Sequence, residues 1–109
     1  MCALDAHQPE SLLEQAVAAE AAGFDAVVVS DPLQPWVDRG GAAGFVWSWL
    51  GAVAARTSRV RLIVTVTSGA FRYHPVVIAQ AAATVDRLSG GRVPGVGCAS
   101  WLIRPSSIV

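Results

Sequence analysis

The stretch "FDAVVVSD", residues 24–31, decides how the chain is read. Its centre is "AVVV", an apolar and mostly β-branched run with no alternation of apolar and polar residues. Such a run is expected of a strand buried on both faces, as in a parallel sheet covered by helices. The residues before it, "PESLLEQAVAAEAA" at 9–22, have a different period. Leu12, Leu13, Ala16, Val17 and Glu20 fall at helical spacing, the apolar ones forming one stripe. Pro9 suits a first turn, Glu10 suits the positive end of the helix dipole, and Gly23 supplies the stop.

Outward from there the two periods alternate. A glycine-rich loop, "PLQPWVDRGGAAG", is followed by "FVWSWLGAVAARTS", a helix apolar nearly all round. "RVRLIVTVTS" is a second strand, "GAFRYHP" a loop, and "PVVIAQAAATVDRLSGG" a third helix with a glycine stop. The pattern predicts strands near 24–30, 60–66 and 92–97 and helices near 10–22, 45–57 and 75–88. A weak opening strand fits residues 2–6 at best. Strict alternation with short loops predicts an α/β fold with parallel strands and right-handed crossovers. Two architectures satisfy it: a doubly wound open sheet, or part of a (β/α)8 barrel. A full barrel takes about 250 residues, so 109 residues hold about the first half of one. Pro94 falls inside the expected third strand, where its missing N–H breaks the ladder. Beyond it, "CASWLIRPSSIV" has no clear period. The division expected is a partial barrel domain over 1–97 and a divergent tail over 98–109.

Composition narrows the function. The chain is 53% hydrophobic and 15% charged, with eight basic and eight acidic residues. This excludes a disordered segment, and with no basic stripe nothing points to nucleic acid. The longest uncharged run is shorter than the roughly 20 apolar residues of a spanning helix, and no basic-then-apolar leader is visible. Cys2 and Cys98 have no metal or redox spacing, so reduced thiols in a cytoplasmic protein are expected. No His, Cys, Asp or Glu cluster has the spacing of a metal site.

The chemistry-bearing candidates gather at "SDPLQPW", residues 30–36. The loop follows a strand, and strand ends of parallel α/β proteins are where sites are built. Asp31 brings a carboxylate and Trp36 a large aromatic with a polar tip, although an aspartate here equally opens a turn. Trp47 and Trp49 lie on the second helix and read as packing or dimer contacts. His7 reads as a solvated loop residue, and His74 shapes the loop before Pro75. "GVG" at 95–97 is a weak dinucleotide signal, since Ser100 stands at the third glycine position.

Taken together, "AAEAAGFDAVVVSD…QPW", "FRYHPVVIAQAAATVDRLSGGRV" and "GVG" resemble the N-terminal half of the luciferase-like flavin and deazaflavin oxidoreductases. The likeness is strongest to the group that uses coenzyme F-420 on sugar phosphates and alcohols. It implies a (β/α)8 barrel, a homo-oligomer, a small-molecule substrate, and a deazaflavin over the C-terminal strand ends, with FMN as the alternative cofactor. It implies that Asp31 lies at the cofactor and that Trp36 lines the pocket. Thr65 and Val66 stand where the family has a cis-peptide bulge beneath the ring, and Ser68 stands near a polar cofactor contact. Three positions depart from the family. Pro32 replaces a histidine that handles the hydroxyl proton, and Cys98, Ala99 and Ser100 replace the Thr-Gly-Glu of "GVGTGE". The strand residues before that motif are reduced to Pro94. Hydride transfer between coenzyme F-420 and a hydroxyl-bearing carbon is therefore the expected activity of the family. For this chain alone the expectation is an inactive fragment, with a flavin-dependent monooxygenase or an inactive half-barrel as the alternatives.

Overall fold

The computed structural model describes residues 4, 6–35, 40–67, 72–98 and 102–103. The elements run α1 (Pro9–Ala21), β1 (Ala26–Val29), α2 (Val46–Arg56), β2 (Arg61–Thr67), α3 (Pro75–Ser89), β3 (Val96–Cys98) and β4 (Leu102–Ile103). Of the weak opening strand expected at 2–6, residues 2, 3 and 5 lie outside the described residues, and Leu4 and Ala6 are in turns rather than a strand.

Each helix begins and ends for a local reason. Pro9 and Pro75 occupy first-turn positions, where a missing N–H costs nothing. His74 caps α3, its Nδ1 accepting the Val76 N–H at 3.3 Å, so this histidine shapes the loop. Gly90, with φ of +73°, closes α3 in the left-handed region that side chains avoid. Gly44 is placed tightly: a Cβ there would meet Pro9 Cγ at 3.0 Å and Leu4 Cδ2 at 3.4 Å, so a side chain would press on the start of α1.

The sheet order is β1-β2-β3-β4, with β1, β2 and β3 parallel and in register from Ala26↔Arg61 to Val29↔Val64. Helix α1 packs on α2 and α2 on α3, so the helices line one face of the sheet in strand order. A doubly wound sheet would carry helices on both faces. Sequential parallel strands with one helical layer are instead the arrangement of a partial (β/α)8 barrel. The core lies between sheet and helices: Leu12, Val29, Leu50, Val53, Leu62 and Val64 are each at most 1% exposed. Burying side chains of this size contributes about 1.5–3 kcal/mol each.

Trp47 and Trp49 take the packing role: they are 6% and 5% exposed, and Trp49 Nε1 donates to Pro9 O at 3.0 Å. Three expectations are corrected. The strands are buried on one face only, since Val28 and Ile63 on the other face are only partly buried where no described helix covers them. The third strand covers 96–98 rather than 92–97, because Pro94 has no N–H to give. The ladder passes it from the Leu62 N–H donating to Arg92 O at 2.8 Å to the Val64↔Val96 pair. Finally, β4 is antiparallel to β3. Three residues separate the two strands, far too few for the crossover that parallel pairing demands.

Candidate functional site

At the C-terminal ends of the strands, the pairing of β2 with β3 is irregular. Val64 pairs with Val96 and Thr67 with Cys98, so three steps along β2 match two along β3. The extra residue is a β-bulge, a device found beside active sites because it re-aims side chains. Its effect is visible in burial. Leu62 and Val64 are buried, then Thr65 and Val66 are both exposed, and Thr67 is buried again. The irregularity spans Thr65 and Val66, the pair at which the family resemblance implies a bulge. The cis peptide expected with it is not found, because every peptide bond among the described residues is trans. Thr65 Oγ1 donates to Val29 O at 3.4 Å, and the Asp31 N–H donates to Val66 O at 3.0 Å. The bulge and the loop after β1 are therefore one hydrogen-bonded unit.

Asp31 is the centre of this end. Its side chain has no solvent exposure. Oδ1 accepts from Arg72 Nη1 at 2.9 Å and from the Tyr73 hydroxyl at 3.3 Å, and the same Nη1 donates to Asp31 O at 3.2 Å. Oδ2 is buried and, among the described residues, has no partner. Burial pushes the Asp31 carboxyl above its usual 3.8, outweighing the nearby Arg72 charge and the hydrogen bonds from Tyr73 and Arg72. Burial, then the neighbouring Asp31 charge, pushes the Tyr73 hydroxyl up to about 12, so the phenol remains a donor. The Arg72 guanidinium stands 5.0 Å from the Tyr73 ring centre and 5.9 Å from that of Phe45, whose ring lies 6.1 Å from Tyr73. Cation–π contacts of this kind fix an arginine laterally for about 0.5–1 kcal/mol each.

The structure brings Asp31, Thr65 and Val66 together. It puts the Cys98 backbone on β3 beside Thr67. Trp36, Ser68 and Ala99 lie outside the described residues. Pro32, half-buried, directly follows Asp31. Sequence reasoning missed Arg72 and Tyr73. The signal available was "FRYHP", a cation beside a phenol in a chain with eight basic residues. No group of described residues could hold a metal ion, and no described helix is long and apolar enough to cross a membrane.

Residues 2–100 match the model of the luciferase-like monooxygenase family. The F420-dependent glucose-6-phosphate dehydrogenases of Segniliparus rotundus and Beutenbergia cavernae are each 54% identical over 90 residues, covering 82% of this chain and 27% of the relative. Among solved structures, an F420-dependent secondary alcohol dehydrogenase in complex with an F420-acetone adduct superposes with a TM-score of 0.84 at 36% identity. That match covers 89% of this chain and 29% of the other. A monooxygenase from Streptomyces bottropensis superposes with a TM-score of 0.63 at 27% identity, over 85% of this chain and 28% of its own. The chain spans about a quarter of the length of the curated relatives it matches.

Proposed function

The chain belongs to the luciferase-like monooxygenase family, and from that premise we propose that it forms the cofactor-facing strand ends of a coenzyme F-420-dependent oxidoreductase. The reaction is hydride transfer between the deazaflavin and a hydroxyl-bearing carbon of a sugar phosphate or alcohol. The observation that carries the reading is Asp31: a buried carboxylate at a strand end, with one oxygen held and the other unpartnered. The relatives' dependence on F420 supports the choice of cofactor, and FMN is the alternative.

The residues present fit such a group. A deazaflavin offers ring N–H and hydroxyl donors on a flat apolar body, and it supplies the hydride-accepting carbon when bound. Asp31 Oδ2 is an acceptor lacking a donor. Val66, 55% exposed, offers an apolar surface on the bulge, and the Thr65 side chain is exposed beside it. Asp31, Thr65 and Val66 would hold the ring, with Ser68, Cys98 and Ala99 as further cofactor contacts and Trp36 lining the substrate side. The protein's work is binding, orientation and the handling of one proton. Pro32 has no side-chain atom able to take that proton. This favours a second reading, in which the chain binds cofactor but is catalytically silent. A small-molecule substrate, a homo-oligomer and a cytoplasmic location belong to the same proposal.

Titration of the purified chain with coenzyme F-420 and with FMN, followed by absorbance, tests it. Saturable binding of F-420 that Asp31→Ala weakens about tenfold, the worth of one charge-assisted hydrogen bond, is the expected result. Equal indifference to both cofactors overturns the reading.

A further inference from the structure

The Asp31 carboxylate is loaded asymmetrically. A free carboxylate exchanges its two oxygens by half a turn about its last side-chain bond. Here three contacts oppose that turn. Arg72 Nη1 bridges Asp31 Oδ1 at 2.9 Å and Asp31 O at 3.2 Å, which ties the side chain to its own backbone. The Tyr73 hydroxyl adds a donor to the same Oδ1 at 3.3 Å. Arg72 is itself fixed, lying 5.9 Å from the Phe45 ring centre and 5.0 Å from that of Tyr73, with its side chain 18% exposed. Among the described residues, Arg72 and Tyr73 are the charged and titratable groups that bear on Asp31.

We infer that Arg72 and Tyr73 are positioning residues: they lock Asp31 through Oδ1 and so reserve Oδ2 as the one carboxylate atom presented to a hydrogen-bond donor on a bound ligand. The ligand's chemical class is an aromatic ring system carrying an N–H or hydroxyl on its edge. That much rests on the proposed deazaflavin site; the locking of Asp31 does not. An orphaned buried acceptor costs stability while empty, so it belongs where a ligand completes it. The lock has a second consequence. Burial drives the Asp31 carboxyl up, and the Arg72 charge together with the Tyr73 and Arg72 hydrogen bonds draws it back.

The test uses the full 109-residue chain and two readouts. The first is the carbon-13 titration of the Asp31 carboxyl by NMR without ligand. The second is the pH profile of coenzyme F-420 affinity. Arg72→Met and Tyr73→Phe should each move the Asp31 midpoint upward. The first should weaken F-420 binding about tenfold and the second about threefold, with the alkaline arm least affected. Arg72→Lys should return the midpoint toward the original value but leave binding weak, because an ammonium lacks the planar fork. If Arg72→Met does not fold, Tyr73→Phe carries the test, since it removes a single hydroxyl. An unchanged Asp31 midpoint in the variants overturns the lock, whatever the chain binds. A shifted midpoint with unchanged F-420 affinity overturns the reservation of Oδ2. A wild-type chain that ignores F-420 and FMN removes the proposed function, while the titration still decides the lock.

Discussion

Glu20 Oε2, at the C-terminal end of α1, accepts the backbone N–H of Val60 at 2.8 Å, and so fastens the first helix to the loop leading into β2. The same carboxylate accepts the Ser58 N–H at 2.9 Å and the Arg59 N–H at 2.6 Å. A carboxylate at a helix C-terminus faces the negative end of the dipole, which disfavours it by about 0.3–1 kcal/mol. Three amide donors overcome that. Led by Val60, and against the opposing effect of burial, they hold the Glu20 carboxyl down from 4.5 to about 2.

A pH dependence follows. Because the folded value lies below the unfolded one, the stabilisation is complete above about 4.5 and is lost as the pH falls toward 2. Urea midpoints measured between pH 6 and 2 should therefore drop through that window. In Glu20→Gln this part of the drop should be missing. At pH 7 the variant should melt lower by about 4–8 °C, for a partly solvated contact worth on the order of 1 kcal/mol. An acid profile identical to that of the original chain would remove Glu20 from the account.

Arg92 performs the matching task for α2. Its Nε donates to Ser89 O at 2.8 Å, Nη1 to Thr57 Oγ1 at 2.8 Å and Val60 O at 3.1 Å, and Nη2 to Ala54 O at 2.8 Å and Thr57 O at 2.9 Å. A cation on the last carbonyls of a helix is favoured by the dipole, and α2 has no glycine to end it. Arg92→Met should cost about 3 kcal/mol by urea denaturation, since several carbonyls lose their donors together. Arg92→Lys should recover less than half, because one ammonium cannot serve a fork of acceptors. Full recovery by lysine would mean that charge alone matters.

How much of this was legible depends on distance along the chain. The α1, β1, α2, β2, α3 order was readable because "AVVV" and "RLIVTVT" are local runs and Gly23 and Gly90 local stops. The bulge at Thr65 and Val66 followed from the family resemblance, not from spacing. One-sided burial was not legible, since identical apolar runs serve strands covered on one face or two. The lock on Asp31 was invisible for a similar reason: Arg72 lies 41 positions away and no periodicity links the two. Glu20 read as one more place on a helical stripe, and only the fold brings 58–60 to meet it.

Self-association should centre on α3. Val76 and Leu88 are 65% and 68% exposed, and with Ala79 and Ala83 they line a shallow groove along that helix. Exposed apolar surface on a small domain promotes contact between copies. Sedimentation at tens of micromolar, a range in which such surfaces associate, should show species larger than the 11.3 kDa chain. Leu88→Lys should shift the distribution toward monomer. An ideal monomer at that concentration would count against an oligomer built on this face.

Pro32 directly follows the locked Asp31 at the end of β1. Removing hydride from an alcohol leaves a hydroxyl proton that some group must take. A positioned base typically contributes on the order of 10²–10⁴ in rate. Histidine suits the task because its pKa lies near neutrality, whereas a proline side chain has no atom that can accept a proton. Asp31 is a poor substitute, because Oδ1 is occupied and a base at Oδ2 would give up the acceptor that a ligand needs. The chain should therefore show no measurable turnover of glucose 6-phosphate with coenzyme F-420, and Pro32→His alone should not confer it. The informative comparison joins residues 1–97 to the remaining length of the Segniliparus rotundus relative, with Pro32 or with Pro32→His. The histidine form should turn over about 10²–10⁴ faster, with F-420 affinity equal in both. Rapid turnover by the Pro32 form would show that the proton leaves by another route and that this position is not where the chemistry is decided.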